Sequence, residues 1–241
     1  SILRRIFRPF NTDHEMTYFA LILPVLLGYL LVKLVSPSTK ILQLFLSFSG
    51  AYLLSMTVLH MIPEIFISGN HEIGLFILLG IAIQTGLEHL SKGAEHGHLH
   101  SHDFQRNIPW LLLVSLGVHA FLEGMPLGIE QNRELLYAII IHKLPIAFIL
   151  ATFLIRSALP TSVILMIMVL FAIMSPLGSW VALTWDAIQS HSDEITAIVI
   201  GVFLHISNAI LFESSENHKF NLHKFIAVLI GFGVALLSMW H

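Results

Sequence analysis

Residues 108–129 read IPWLLLVSLGVHAFLEGMPLGI, an apolar run that carries a histidine and a glutamate near its middle. About 20 predominantly apolar residues are needed for an α-helix to cross the hydrocarbon core of a bilayer. Eight runs of the chain meet that length, at roughly 16–35, 41–67, 73–91, 108–129, 135–155, 161–185, 195–214 and 222–240. The sequence therefore predicts an all-α integral membrane protein, folded as a bundle of eight transmembrane helices.

The composition supports the same class. The chain has 241 residues, 56% hydrophobic and 11% charged, with a mean hydropathy of +0.81. Soluble domains carry about 25% charged residues, so the lipid bilayer is the expected surroundings. The predicted helices are joined by short connections except for 92–107, which predicts a single transmembrane domain over residues 1–241. The absence of cysteine excludes thiolate metal sites, and no basic patch indicates nucleic-acid binding.

The positions of Lys and Arg predict which connections face the cytoplasm. The connections after the odd-numbered helices are rich in basic residues, whereas those after the even-numbered helices hold only Arg133. We therefore expect the 92–107 loop in the cytoplasm and both termini outside, in a plasma (inner) membrane. The cluster of Arg4, Arg5 and Arg8 argues for the opposite orientation.

Two consecutive predicted helices carry ionisable side chains near their middle: His119 and Glu123 in one, His142 and Lys143 in the next. Such groups are costly in hydrocarbon and normally face the interior of the bundle. Because residues four apart share a helix face, His119 and Glu123 can point at the same ion, and His142 can add a third ligand. Imidazole with carboxylate suits Zn²⁺, Fe²⁺ or Mn²⁺. This pattern predicts a metal site between helices four and five.

A simpler interpretation stands beside the metal site. Glu123 and Lys143 could form a buried salt bridge, and a membrane histidine often only bonds a neighbouring helix. Three features favour the metal site: His142, the histidine-rich loop at 92–107, and Pro145, which interrupts the hydrogen bonding of its own helix. Gly124 and Gly128 permit close approach of a helix.

Further polar residues at the helices could line a path for an ion: His60, Glu64, Glu88, His89, Lys143, Ser175, His205 and Asn208. The pair in the second helix, His60 and Glu64, is either an entrance or an interfacial helix end, and we favour the entrance. Glu88 could receive outgoing ions or be solvated, and His205 is better explained as a satisfied buried histidine.

The loop HGHLHSH contributes four closely spaced histidines: His96, His98, His100 and His102. Neutral imidazoles on a mobile backbone bind ions weakly and in several ways, so the loop predicts metal capture. The alternative is a solvated loop without a ligand.

Together, the eight helices, the histidine-rich loop between helices three and four, and His119-x-x-x-Glu123-Gly124 resemble the ZIP (zinc- and iron-regulated transporter-like) metal transporters. His142-Lys143-Leu144-Pro145 on helix five and the HMIPE stretch from His60 to Glu64 are similar to further family motifs. The resemblance implies a carrier that moves a divalent metal, zinc first, into the cytoplasm by rocking helices around the helix-four and helix-five centre.

The chain departs from the family where its members place a second metal: the corresponding positions here are Ala120, Lys143, Ile146 and Ser175. The resemblance therefore implies one reduced site of His119, Glu123 and His142. Lys143 could replace the second cation, could repel divalent ions, or could release its proton in the dry core and couple proton movement to transport.

Three functions compete on the sequence alone. The first is the carrier, and the second is a transport-impaired protein that binds metal and regulates a partner. The third is an intramembrane zinc hydrolase with Glu123 as base, which the absence of a His-Glu-x-x-His motif disfavours. We expect a transporter and not an enzyme.

The predicted ligands accept Zn²⁺, Fe²⁺, Mn²⁺ or Cd²⁺ as the transported ion. No organic cofactor is expected. A homodimer is compatible with the sequence.

Overall fold

The structure, a computed structural model, describes residues 12–35, 39–67, 72–91, 109–157, 159–212 and 221–238. Within these residues the chain forms eight principal helices. They are α1 (Thr12–Leu34), α2 (Thr39–Met56), α3 (Ile73–Ser91), α4 (Trp110–Ile129), α5 (Arg133–Arg156), α6 (Thr161–Thr184), α7 (Ser192–Phe212) and α8 (Leu222–Ser238). A short helix, Asp186–Gln189, joins α6 to α7.

The all-α membrane bundle predicted from the sequence is confirmed. Seven of the helices are long and apolar enough to cross a membrane, and the eighth, α8, is a shorter apolar helix of 17 residues. The predicted bounds agree to within a few residues at the described ends. The predicted 92–107 loop lies outside the described residues.

The end of α2 is a π-helical turn, Thr57–Met61, followed by one more α-helical turn, Ile62–Phe66. Pro63 explains the change of geometry, because it has no N–H to donate to the carbonyl one turn earlier. The N–H of Ile62 bonds the carbonyl of Thr57, five residues back, which widens the turn. His60 lies in this widened turn, near the first residues of α5.

The helices pack into two groups. In the first, α4 packs against α6, and α1 packs against α5 and α6, around a core that includes Val25, Leu116, Ala147 and Phe171. In the second, α3 packs against α7, and α2 against α7 and α8. The groups meet where α2 contacts α5 and where α4 contacts α3 and α7. The ionisable residues of α4 and α5 therefore lie in the first group, close to the junction with the second.

Small residues bring α4 and α6 into backbone contact. A Cβ atom added at Gly124 would overlap the carbonyl of Ser175, one at Gly128 would overlap that of Ser179, and one at Gly178 that of Phe121. Close approach through glycine is a common way to pack membrane helices. The predicted role of Gly124 and Gly128 is borne out, and the partner helix is α6.

The prolines inside α4, α5 and α6 do not end these helices. Helical structure continues through Pro145 in α5, through Pro126 in α4 and through Pro176 in α6. A proline in a membrane helix is tolerated where neighbouring helices support the backbone around it. α5 is surrounded by α1, α2 and α6, which supply that support.

Candidate metal centre

Glu123 lies at the centre of the ionisable group. It is buried on α4 with only 1% of its surface exposed, and Lys143 of α5 is buried to the same extent. The Nζ of Lys143 donates to Oε1 of Glu123 at 2.8 Å. The salt bridge considered from the sequence is therefore present, and it joins α4 to α5 in the interior. A buried charge left without its partner is strongly destabilising, so each of these residues depends on the other.

Ser175 adds a third helix to the group. Its hydroxyl accepts a hydrogen bond from Lys143, and its proton can go either to Oε1 of Glu123 or to the carbonyl oxygen of Ala120, each at 2.7 Å. The sequence placed the centre between helices four and five. The structure extends it to α6, because the glycine contacts bring Ser175 against α4.

The Lys143 ammonium is also covered by an aromatic ring. Its Nζ lies 5.3 Å from the centroid of the Phe171 ring, within the range of a cation–π interaction. The Glu123 carboxylate, the Ser175 hydroxyl and the Phe171 ring together take the place of the water molecules that hydrate an exposed ammonium. Phe171 was not predicted as part of the centre, since a phenylalanine in an apolar span carries no sign of a charged neighbour.

The two carboxylate oxygens of Glu123 have different surroundings. Oε1 takes the hydrogen bonds from Lys143 and Ser175, whereas Oε2 faces Nε2 of His119 at 3.6 Å. Within the described residues, neither ring nitrogen of His119 has a hydrogen-bond partner. Two ligands of a tetrahedral zinc ion at about 2.1 Å from it stand about 3.4 Å apart, so this pair has the separation of a chelating pair.

His142 lies next to His119. The two rings are edge to face, with centroids 6.1 Å apart, and both side chains are buried. Among the described residues, no set of three or more His, Asp or Glu side chains is arranged to hold a metal ion. The predicted ligands are thus brought into one buried layer, with His119 and Glu123 as a close pair and His142 adjacent to it.

At one end of the bundle, His60 and Glu64 lie beside a cavity. The Nδ2 of Asn132 donates to Nε2 of His60 at 2.5 Å, and His60 Nε2 lies 3.7 Å from Oε2 of Glu64. Asn132 also caps α5, since its Oδ1 accepts from the N–H of Leu135 at 2.9 Å. The sequence did not single out Asn132, although an Asn before an apolar run is a recognised helix start.

The cavity at this end has a volume of about 190 Å³ and is lined by three carboxylates and several apolar side chains. The carboxylates are Glu64, Glu130 and Asp193, from the ends of α2, α4 and α7. Pro126 of α4 lines the cavity, less than one turn beyond Glu123 along the helix. The lining is therefore negatively charged and includes a residue of the helix that carries His119 and Glu123.

At the other end, Nε2 of His205 on α7 lies 2.5 Å from Oε2 of Glu88 on α3, and both side chains are 19% exposed. Its Nδ1 lies 3.4 Å from the hydroxyl of Thr85. His205 is thus a satisfied histidine, as the sequence favoured, although it is only partly buried. His89 and Asn208 are exposed and do not contribute to this pair.

The four loop histidines, His96, His98, His100 and His102, lie outside the described residues. Their predicted role in metal capture stays a prediction.

Comparison with known proteins agrees with the resemblance seen in the sequence. The family model described as ZIP zinc transporter matches residues 84–239, well over half of the chain. The zinc transporter ZIP1 of Takifugu rubripes is 32% identical over 150 residues, covering 57% of this chain and 49% of that protein.

Two further relatives are similar over comparable lengths. The zinc transporter ZIP1 of Danio rerio is 26% identical over 155 residues, covering 60% of this chain and 51% of that protein. The protein zntD of Dictyostelium discoideum is 27% identical over 172 residues, covering 62% of this chain and 25% of that protein. The chain therefore spans from a quarter to about half of the length of these relatives.

Proposed function

The chain belongs to the ZIP zinc transporter family, and from this membership we propose that it carries a divalent metal ion, zinc first, across the membrane. The transported ion binds between α4 and α5, at His119, Glu123 and His142. The observation that carries the proposal is the pairing of Oε2 of Glu123 with Nε2 of His119 at 3.6 Å in a buried layer. The matched family is one of transporters, so no enzymatic function is proposed.

Lys143 sets how many ions the centre holds. Its ammonium and the Ser175 hydroxyl both engage Oε1 of Glu123, which leaves the Oε2 side for a metal ion. We propose that Lys143 replaces a second cation and that the centre takes one divalent ion at a time. His142 completes the ligand set by a rotation of its side chain toward His119, and water supplies a fourth ligand.

The acid-lined cavity is the proposed entrance. Glu64, Glu130 and Asp193 raise the local concentration of cations there. His60 lies at its edge, held by Asn132 at the start of the helix that carries His142 and Lys143. Transport is directed toward the cytoplasm, with the cavity on the outer side of a plasma membrane and the Glu88–His205 pair on the inner side.

A second candidate function has its own support. The Lys143 ammonium repels divalent ions, and no three-ligand group is formed among the described residues. These observations favour a protein that binds metal through its histidine loop and regulates a partner without transporting. Deletion of residues 94–103 distinguishes the two functions, because it abolishes the regulatory function and only changes the rate of a carrier.

Uptake of ⁶⁵Zn into proteoliposomes tests the carrier directly. We expect uptake with the native protein and none with Glu123→Ala, while Glu15→Ala, a change of an exposed glutamate in α1, leaves uptake unchanged. Equal uptake by the native protein and Glu123→Ala would reject the carrier.

A further inference from the structure

An apolar groove runs between α4 and α6, on a side of the bundle that the proposed entrance does not use. Its volume is about 390 Å³. The residues that line it recur at helical spacing, so one face of each helix forms a wall. The lining includes Trp110, Val114, Gly117 and Phe121 of α4 with Leu170 and Met174 of α6.

Gly117 explains why the groove is open. Further along α4, the backbones of α4 and α6 touch at Gly124 and Gly128. A Cβ added at Gly117 would instead meet, among the described residues, a single atom within 4 Å, a side-chain atom of Met174 at 4.0 Å. Because Gly117 has no side chain, α4 leaves this space unfilled, and the groove begins where the close contact of the helices ends.

The groove faces outward. Trp110, Val114 and Leu170 at its rim are exposed, whereas Leu150 and Phe171 at its floor are buried. Both α4 and α6 are long and apolar enough to cross a membrane. The core of a bilayer holds no water, so the exposed side of these spans meets hydrocarbon. The molecules that surround the groove are therefore lipids.

The groove has the depth of one bilayer leaflet. Trp110 is the first residue of α4, at the end of the span, where tryptophan is commonly found at the interface between lipid and water. From Trp110 to Phe121 the helix rises by about 16 Å. This is about half of a hydrocarbon core of about 30 Å. The groove thus extends from one membrane surface to near the middle of the bilayer, as one acyl chain does.

The lining also fits a hydrocarbon chain. It contains no charged, hydroxyl or amide side chain, and its one strong side-chain donor is the indole N–H of Trp110 at the outer end. A helix of a second chain is about 10 Å across, so over the same length it would need more space than the groove offers. An unfilled groove would forfeit the dispersion contacts of its walls, which an extended chain supplies.

One side chain is shared between the groove and the buried centre. The Phe171 ring lines the groove, and its centroid lies 5.3 Å from Nζ of Lys143. A chain in the groove therefore packs on the residue that covers the ammonium.

We propose that the groove binds one acyl chain of a bilayer phospholipid, with the headgroup at the Trp110 end and the end of the chain against Phe121 and Phe171. Two helices and the floor between them contact this chain, whereas a chain on the surface of one helix has contacts on one side only. The bound chain therefore stays in place longer than the lipid around the rest of the protein. This site does not depend on the carrier function.

Photo-cross-linking in proteoliposomes tests the site. The probe is a phosphatidylcholine that carries a diazirine near the end of one acyl chain, and mass spectrometry of peptides locates the adducts. We expect several-fold more adducts on the groove residues than on Leu78 and Leu79, which are exposed on α3. A diazirine placed near the headgroup should move the adducts toward Trp110.

The comparison with α3 is matched in depth. The hydroxyl of Ser115 on α4 donates to the carbonyl oxygen of Leu87 on α3 at 2.6 Å, which fixes the register of these consecutive, oppositely directed spans. Counted from this bond, Leu79 lies close to the depth of Phe121, and Gly86 lies close to the depth of Gly117.

Two glycine variants at equal depth complete the test. Gly117→Leu puts a side chain into the groove and should lower its labelling to that of α3. Gly86→Leu is the control, because a Cβ at Gly86 also meets no atom within 4 Å but Gly86 does not line the groove. Its labelling should match that of the native protein.

The labelling of the native protein decides the proposal even if Gly117→Leu does not fold. Groove labelling no higher than that of α3 would overturn the lipid site, and a second copy of the chain seated on the groove would give this result. Unchanged groove labelling in a folded Gly117→Leu protein would also overturn it. No zinc is needed in these measurements, so failure of the carrier would leave them unaffected.

Discussion

The Nζ of Lys143 lies 2.8 Å from Oε1 of Glu123, with both side chains almost fully buried between α4, α5 and α6. A fixed cation therefore neutralises the carboxylate proposed to bind the transported ion. Oε2 of the same carboxylate faces His119, so one oxygen holds the resident ammonium and the other is left for the proposed ion. The consequences of this division can be measured.

Removal of the ammonium should destabilise the protein in the absence of metal. Lys143→Met leaves the Glu123 carboxylate buried without a cation, which costs about 3–5 kcal/mol in comparable cases. We expect a lower melting temperature in detergent, largely restored by zinc, because a bound ion replaces the lost charge. Lys33→Met is the control, because Lys33 is exposed on α1 beside Tyr29. This variant should melt at the same temperature as the native protein. A Lys143→Met protein as stable as the native one without metal would contradict the pairing.

Replacement of both partners should cost less than the two single changes together. Glu123→Gln strands the ammonium and Lys143→Met strands the carboxylate, whereas the double variant leaves no buried charge. Residues in direct contact show coupling energies of about 0.5–3 kcal/mol in such cycles. Unfolding of the four proteins of the cycle in detergent measures the coupling. Additive effects would show that the charges do not interact.

The packing of α4 on α6 should be intolerant of a single methyl group. Gly124→Ala places a Cβ against the carbonyl of Ser175 and should destabilise by about 1–3 kcal/mol or more. Gly117 lies on the same helix, and a Cβ there would find its nearest neighbour, a side-chain atom of Met174, at 4.0 Å. Thermal unfolding of Gly124→Ala and Gly117→Ala should therefore differ, with Gly117→Ala close to native. Similar melting of the two variants would contradict the close approach.

The capping role of Asn132 can be separated from its contact with His60. Asn132→Ala removes both and should lower the free energy of unfolding by about 1 kcal/mol for the cap alone. Asn132→Ser keeps a capping oxygen but has no amide to donate to His60, so it should retain most of the stability. Unfolding in detergent compares the two variants. If uptake of zinc falls in Asn132→Ser while stability holds, the His60 contact serves the entrance.

Much of the fold could be predicted because hydrophobic run length alone determines a membrane span. The bounds of α3 agree with the prediction at both ends, since Ile73 and Ser91 follow directly from where the apolar run begins and ends. The burial of His119, Glu123, His142 and Lys143 also follows, because ionisable groups in a span avoid lipid. These features depend on residue type and position along one helix.

The remainder depends on which helices touch, and periodicity does not contain that information. The sequence suggested Ser175 near the centre but gave no sign of the Phe171 ring over Lys143, since both belong to the packing of α6 on α4 and α5. The bond between Asn132 and His60 depends on a π-helical turn that brings α2 to the start of α5.

An anomalous-scattering map at the zinc absorption edge, from crystals of the native protein equilibrated with zinc, tests the central claim most directly. We expect a single peak between His119, Glu123 and His142, within about 2.0–2.2 Å of Oε2 of Glu123 and of a ring nitrogen of His119. The Lys143 ammonium should stay on Oε1, so no second peak should lie beside it. Zinc bound only elsewhere, with the Glu123–His119 pair unchanged, would contradict the claim that this chain carries its ion through the centre.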